Sequence, residues 1–199
     1  MDLVLGITDE SMNVFQWGAV IGASLAAALG DVRERRIPNA LTFPLLIVGL
    51  LWAGWFGGLA GLGEAAGACL LLGAPYVLLF VFAGGGAGDA KLMGAIGAWL
   101  GFKQGVIVLL CVAVIGGVLA IAKAVAKRRL KFVLTNVLIS FYAFVVCVAG
   151  GRRPKVAGER TEGDAGQPGG LEMPYGVAIC LGVCAAAAVV RMWGVDWLW

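Results

Sequence analysis

Residues 40–56 read ALTFPLLIVGLLWAGWF, an uninterrupted apolar block without one charged side chain. A bilayer crossing needs about 20 predominantly apolar helical residues, and further blocks of this kind lie on either side. Hydrophobic residues make up 61% of the 199-residue chain and charged residues only 14%, far too little polar surface for a soluble domain. Backbone groups in lipid must be paired within the segment or around a closed barrel. These blocks are continuous rather than alternating, which favours helices. The expected fold is therefore all-α, a polytopic transmembrane helical bundle forming one membrane-embedded unit over residues 1–199.

The basic residues fall mainly in three clusters: Arg33, Arg35 and Arg36; Lys123, Lys127, Arg128, Arg129 and Lys131; and Arg152, Arg153, Lys155 and Arg160. Lying between apolar blocks, they mark cytoplasmic loops by the positive-inside rule, and no nucleic-acid partner is expected. The first residues are acidic (Asp2, Asp9, Glu10) and lack a basic n-region, so the first apolar block is expected to stay as a membrane helix. Cys69, Cys111, Cys147, Cys180 and Cys184 all sit inside apolar blocks, and the chain has no histidine and no Cys-x-x-Cys. Zinc sites and Cys-His nucleophile pairs are thereby disfavoured. Neither a metal nor a cofactor is expected.

Along the chain, helices are expected at about 14–29, 40–56, 64–82, 89–102, 106–122 and 175–192, about six spanning segments. Pro38 suits the opening of the second. The glycine-rich turn 57–63 carries no basic residue and is placed outside. The apolar segment 132–149 is ambiguous because both flanks are basic; a non-spanning, interfacial course is preferred, which leaves 150–173 as a polar, flexible cytoplasmic loop. Trp193, Trp197 and Trp199 suit the membrane boundary. Gly94 and Gly97 are spaced for close helix packing.

Between Ser11 and Gly158 the acids are Asp31, Glu34, Glu64 and Asp89. Ionisable groups at membrane depth are costly and mark functional sites. Counting crossings puts Asp31, at the end of the first helix, and Asp89, at the start of the fourth, on the same cytoplasmic side. Two carboxylates there could share a proton, one activating water and the other polarising a carbonyl. Each also has an ordinary reading. Asp31 could be neutralised by Arg33, Arg35 or Arg36, and Asp89 could simply cap a helix. Gly86 and Gly88 would allow positive φ and a close backbone approach beside Asp89. The Gly-x-x-x-x-Gly-Lys-Ser/Thr pattern of a phosphate loop is absent.

Gly86-Ala87-Gly88-Asp89-Ala90-Lys91-Leu92 resembles the Gly-x-Gly-Asp-x-Lys-Leu signature of the type IV prepilin peptidases, the Gly-x-Gly-Asp aspartyl membrane peptidases. Asp31 with Arg36-Ile37-Pro38-Asn39 resembles that family's first aspartate motif. Pro174-Tyr175-Gly176-Val177-Ala178-Ile179 resembles a segment of the short CpaA/TadV-like members. The resemblance runs from about Val14 to Met192.

The resemblance implies that Asp31 and Asp89 are the catalytic pair. Gly86, Gly88, Lys91, Pro38, Asn39, Pro174, Tyr175 and Gly176 would shape the site or contact substrate. Lys91 also reads as an ordinary snorkelling lysine. The implied reaction is leader removal from prepilins, chiefly those of Flp or tight-adherence pili, at the cytoplasmic face of the inner membrane. Pilus assembly machinery is a further implied partner. Without the Cys-x-x-Cys segment of longer relatives, no methyltransferase activity is expected. The competing readings are a small transporter, which also uses buried acids and broken helices, and a non-enzymatic assembly component. A presenilin-like protease shares only Gly-x-Gly-Asp, and the Asp31 motif argues against it.

Overall fold

A computed structural model describes residues 9–34, 37–83, 86–126 and 175–193. They form four helices: α1 (Asp9–Glu34), α2 (Asn39–Ala83), α3 (Ala87–Ala126) and α4 (Tyr175–Trp193). All four are long and apolar enough to cross a membrane, and no strand occurs among the described residues. The all-α expectation holds. Among the described residues there are four such helices, which do not confirm the expected count of about six spanning segments. Segment 132–149, the loop 150–173 and Pro174 lie outside the described residues.

The difference in count has a local cause. At about 1.5 Å per residue, the 45 residues of α2 would reach about twice the thickness of a hydrocarbon core if straight. They are not straight, because Gly58 has φ 60° and ψ −150°. Beyond it the chain doubles back: a Cβ placed on Gly61 would lie 2.6 Å from the carbonyl oxygen of Ala53. Helix α3 reverses likewise at Gly101, with φ 69° and ψ −170°. Its contacts on α2 run from Gly73 (beside Ala90) to Cys69 (Gly94) and Ala68 (Gly97), and then back to Leu72, beside Gly105. A positive φ is open to glycine and strained for other residues. Each turn is so short that helical structure resumes at once, with no loop like the one expected over 57–63.

The core is the first half of α3. Leu92, Met93, Ala95, Ile96, Ala98, Trp99 and Leu100 are all buried, so this stretch is apolar on every face. Around it stand Val20 and Ala27 of α1, Leu72 of α2, and Ile179, Val183 and Ala186 of α4. At one end Trp99 donates its indole N–H to the Leu45 carbonyl at 2.8 Å. There Trp52 stacks on Phe15 (4.9 Å between centroids) and lies 6.0 Å from Trp99, tying α1, α2 and α3 together. Trp55, Leu59, Leu70 and Leu110 point outward. On a soluble protein such a surface would aggregate; in a bilayer it faces hydrocarbon.

Helices α2 and α3 meet backbone to backbone, as Gly94 and Gly97 suggested. A Cβ on Gly97 would stand 2.5 Å from the Ala68 carbonyl oxygen and 2.8 Å from its carbon. Gly97→Ala should therefore force the helices apart and cost about 1–3 kcal/mol, the usual range for overpacking. Gly117→Ala, with nothing within 4 Å of its Cβ, should be neutral. Heating both variants in detergent and measuring the protein that remains monodisperse checks the contrast.

Candidate active site

Helix α1 runs past its expected end at residue 29, straight through Gly30, to Glu34. Asp31 thus lies in its last turn, half-buried, rather than in a loop. It does not serve α1. Its Oδ2 accepts the Gly176 N–H at 2.8 Å, across 145 positions of sequence. Gly176 is the second residue of α4, where amides have no carbonyl of their own helix to bind. The carboxylate satisfies one of them and sits at the positive end of the α4 dipole. A side chain at Gly176 would meet the Asp31 Cβ at 3.0 Å, its Oδ2 at 3.1 Å and the Ala28 Cα at 3.2 Å.

Asp89 is the third residue of α3, and its N–H donates to the Gly86 carbonyl at 3.2 Å. It is in the first turn, as its capping reading requires, yet its side chain is turned inward and only 8% exposed. A surface acid on the helix dipole would not be buried in this way. The two aspartates are close enough for their charges to act on each other. Glu64 lies at the opposite end of the bundle, beside Gly101, and Glu34 is exposed. Among the described residues, no group of three His, Cys, Asp or Glu side chains is arranged to hold a metal.

The glycines act by close approach. Neither Gly86 nor Gly88 has positive φ, contrary to that part of the expectation. A Cβ on Gly86 would lie 2.7 Å from Asp89 Oδ2, so any side chain would displace the carboxylate. One on Gly88 would lie 2.9 Å from the Ile37 Cβ. Gly88 is therefore where the α1–α2 connection presses onto the start of α3. Ile37 was not singled out from the sequence; its signal was the bulky apolar residue just before Pro38, with charged neighbours on the other side.

Pro38 ends that connection, and its carbonyl accepts the N–H groups of Leu41 (3.0 Å) and Thr42 (3.4 Å), opening α2. Asn39 then accepts the Lys91 ammonium at 2.8 Å, and Lys91 lies over the Phe43 ring, 5.1 Å from its centroid. Lys91 thus ties α3 to the start of α2. Lys91→Met should lower stability by less than about 1 kcal/mol, since an exposed pair contributes little. Thermal unfolding in detergent would show this. Tyr175, the first residue of α4, is partly exposed and within electrostatic reach of Asp89. Tyr76 of α2 is also within electrostatic reach of Asp89. Sequence reading passed over Tyr76, which stands in an apolar helix with only its hydroxyl to mark it.

Four long apolar helices, with two carboxylates, one amide-bound and one buried, within electrostatic reach of each other, have the make-up of a multi-pass membrane protein with a candidate aspartate-pair site. The profile of the type IV leader peptidase family matches residues 18–121, more than half of the chain, which belongs to that family. Similar curated proteins are named prepilin leader peptidase/N-methyltransferase. The one from Neisseria gonorrhoeae is 40% identical over 105 residues, covering 50% of this chain and 37% of the relative. That from Aeromonas hydrophila is 37% identical over 125 residues, 57% of this chain and 43% of the relative. That from Xanthomonas campestris pv. campestris is 32% identical over 131 residues, 58% of this chain and 44% of the relative. The match thus spans less than half the length of each of these relatives. No solved structure matches significantly.

Proposed function

We propose that this chain is an aspartic endopeptidase of the membrane that removes the leader peptide from prepilins. One observation carries the reading: Asp31 and Asp89, from different helices, meet at one end of the bundle, with Asp31 anchored on the Gly176 amide. Hydrolysis by two carboxylates needs one to take a proton from water while the other gives one to the scissile carbonyl. Asp31, half-buried and accepting an amide N–H, is suited to be the anion that activates water. Asp89, buried beside it, is suited to hold the shared proton and donate it first to the carbonyl oxygen. The nitrogen of the departing chain then takes the proton drawn from water. Gly86, having no side chain, leaves the Asp89 carboxylate unobstructed for an extended substrate strand, while Gly88 admits Ile37.

A transporter needs a buried acid at mid-membrane and gains nothing from two held at one end. Incubating membranes containing this chain with candidate prepilins, and following leader loss by mass spectrometry, tests the activity. Flp-type prepilins should be cut in preference to other type IV prepilins. If wild type cuts none, the transporter or assembly-component reading moves ahead.

The same reading takes α2 and α3 as two crossings each, reversing at Gly58 and Gly101, which makes six. Asp31, Asp89 and Tyr175 then lie at the cytoplasmic face of the inner membrane, in one membrane-embedded unit, within reach of pilus assembly machinery. The Arg33 cluster beside Asp31 agrees with the positive-inside rule. In a Cys-free background, Gly58→Cys should react with an impermeant thiol reagent in intact cells. Arg33→Cys should react only after the membrane is opened. The opposite pattern would invert the topology.

A further inference from the structure

Tyr76 is a polar side chain near the aspartate pair to which the mechanism above gives no task. Its position follows from the packing register. Going along α2, the contacts on α3 move from Gly97 (at Ala68) through Gly94 (at Cys69) to Ala90 (at Gly73). The next turn of that face meets the first turn of α3. Leu72 and Gly73 are buried on this face, and Tyr76 follows four and three positions later, half-buried against the core. Its phenol is within electrostatic reach of both Asp89 and Tyr175. The groups facing Asp89 are therefore Asp31 from α1, Tyr76 from α2 and Tyr175 from α4. Lys91, on its own helix, is engaged with Asn39.

We infer that Tyr76 is a positioning residue whose hydroxyl donates a hydrogen bond to the Asp89 carboxylate once Asp89 has given up its proton. The inference rests on the two-aspartate reading and deepens it. A buried carboxylate without a donor is costly, and the Gly176 amide is committed to Asp31. Tyr175 is 45% exposed, so its hydroxyl is open to competition from water. Tyr76 is the more enclosed donor, mounted on a helix packed directly against α3. Phenols can donate as well as accept, and a hydrogen bond to a charged group is among the stronger ones.

The test uses the full chain, purified in nanodiscs. Infrared difference spectra across a pH range report the protonated carboxyl band, assigned to Asp89 by its loss in Asp89→Asn. In Tyr76→Phe the midpoint of that band should rise by about one pH unit, the scale of one lost hydrogen bond to a charged group. The alkaline limb of prepilin cleavage should move with it, and kcat should fall about 3- to 30-fold with KM unchanged. A purely structural Tyr76 would slow the enzyme without moving either midpoint, and an unmoved band overturns the inference. Site-specific 3-fluorotyrosine at position 76, a more acidic donor of nearly the same shape, should move the midpoint the other way. If Tyr76→Phe does not fold, that substitution decides alone, and no downward shift overturns the inference. If wild type cleaves no prepilin, the peptidase reading fails while the band still decides the role of Tyr76.

Discussion

On the proposed two-aspartate mechanism, Asp31→Asn and Asp89→Asn should each reduce prepilin cleavage by at least about 100-fold, the low end for losing a general acid or base. Asparagine keeps the shape of either side chain but cannot exchange the proton. At position 31 the amide oxygen can still accept the Gly176 N–H, so the substitution removes the charge and leaves the anchor of α4 in place. At position 89 a buried carboxyl becomes a neutral amide of the same size, which opens no cavity. Both variants should accumulate in the membrane at near-normal levels. Glu34→Gln and Glu64→Gln should be mild, because Glu34 is exposed and Glu64 lies beside Gly101 at the far end. Wild type should show a bell-shaped pH profile whose two limbs describe the pair rather than either residue. Wild-type cleavage by either Asn variant, at normal abundance, would end the two-aspartate mechanism.

Gly176→Ala should cost nearly as much, although it leaves every chemical group of the site in place. The added methyl would stand 3.0 Å from the Asp31 Cβ and 3.1 Å from its Oδ2. It would also stand 3.2 Å from the Ala28 Cα, so it meets the backbone of α1 as well, which cannot turn aside as a side chain could. Either the carboxylate rotates off the amide or α4 moves away from α1. A misplacement of about 1 Å can cost roughly 100-fold in rate, and that is the loss expected in kcat. Gly116→Ala is the control, because its methyl would make only ordinary contact with the Ala178 Cβ at 3.9 Å. Cleavage assays on the two variants at matched protein levels give the comparison. Equal rates would mean that the Asp31–Gly176 contact does not matter for catalysis.

Much of this was legible because the bilayer makes strong demands on composition. Apolar blocks had to be helices, since lipid offers no other partner for the backbone. Asp31 and Asp89 stood out because acids are costly there, and crossing parity put them at one end before any contact was known. The Gly94 and Gly97 pair announced a close helix contact for a similar reason: without side chains, backbones can touch. Reading went astray where the outcome depended on single dihedral angles. Helices 40–56 and 64–82 were separated by a seven-residue turn on paper, whereas the chain needs only Gly58. Gly86 and Gly88 were credited with unusual φ, but what they provide is room beside Asp89 and Ile37.

The solvent, the helical class and the identity of the acids are local matters, because they follow from side-chain chemistry summed over short stretches. Which group serves which helix emerges only in three dimensions. The acid at the end of α1 binds the start of α4, and Asn39 holds Lys91. Those pairings depend on the register and rotation of helices far apart in the chain. Register is set by many small contacts at once, with Gly97 on Ala68 and Gly176 on Ala28 among the closest, and no local pattern encodes their sum.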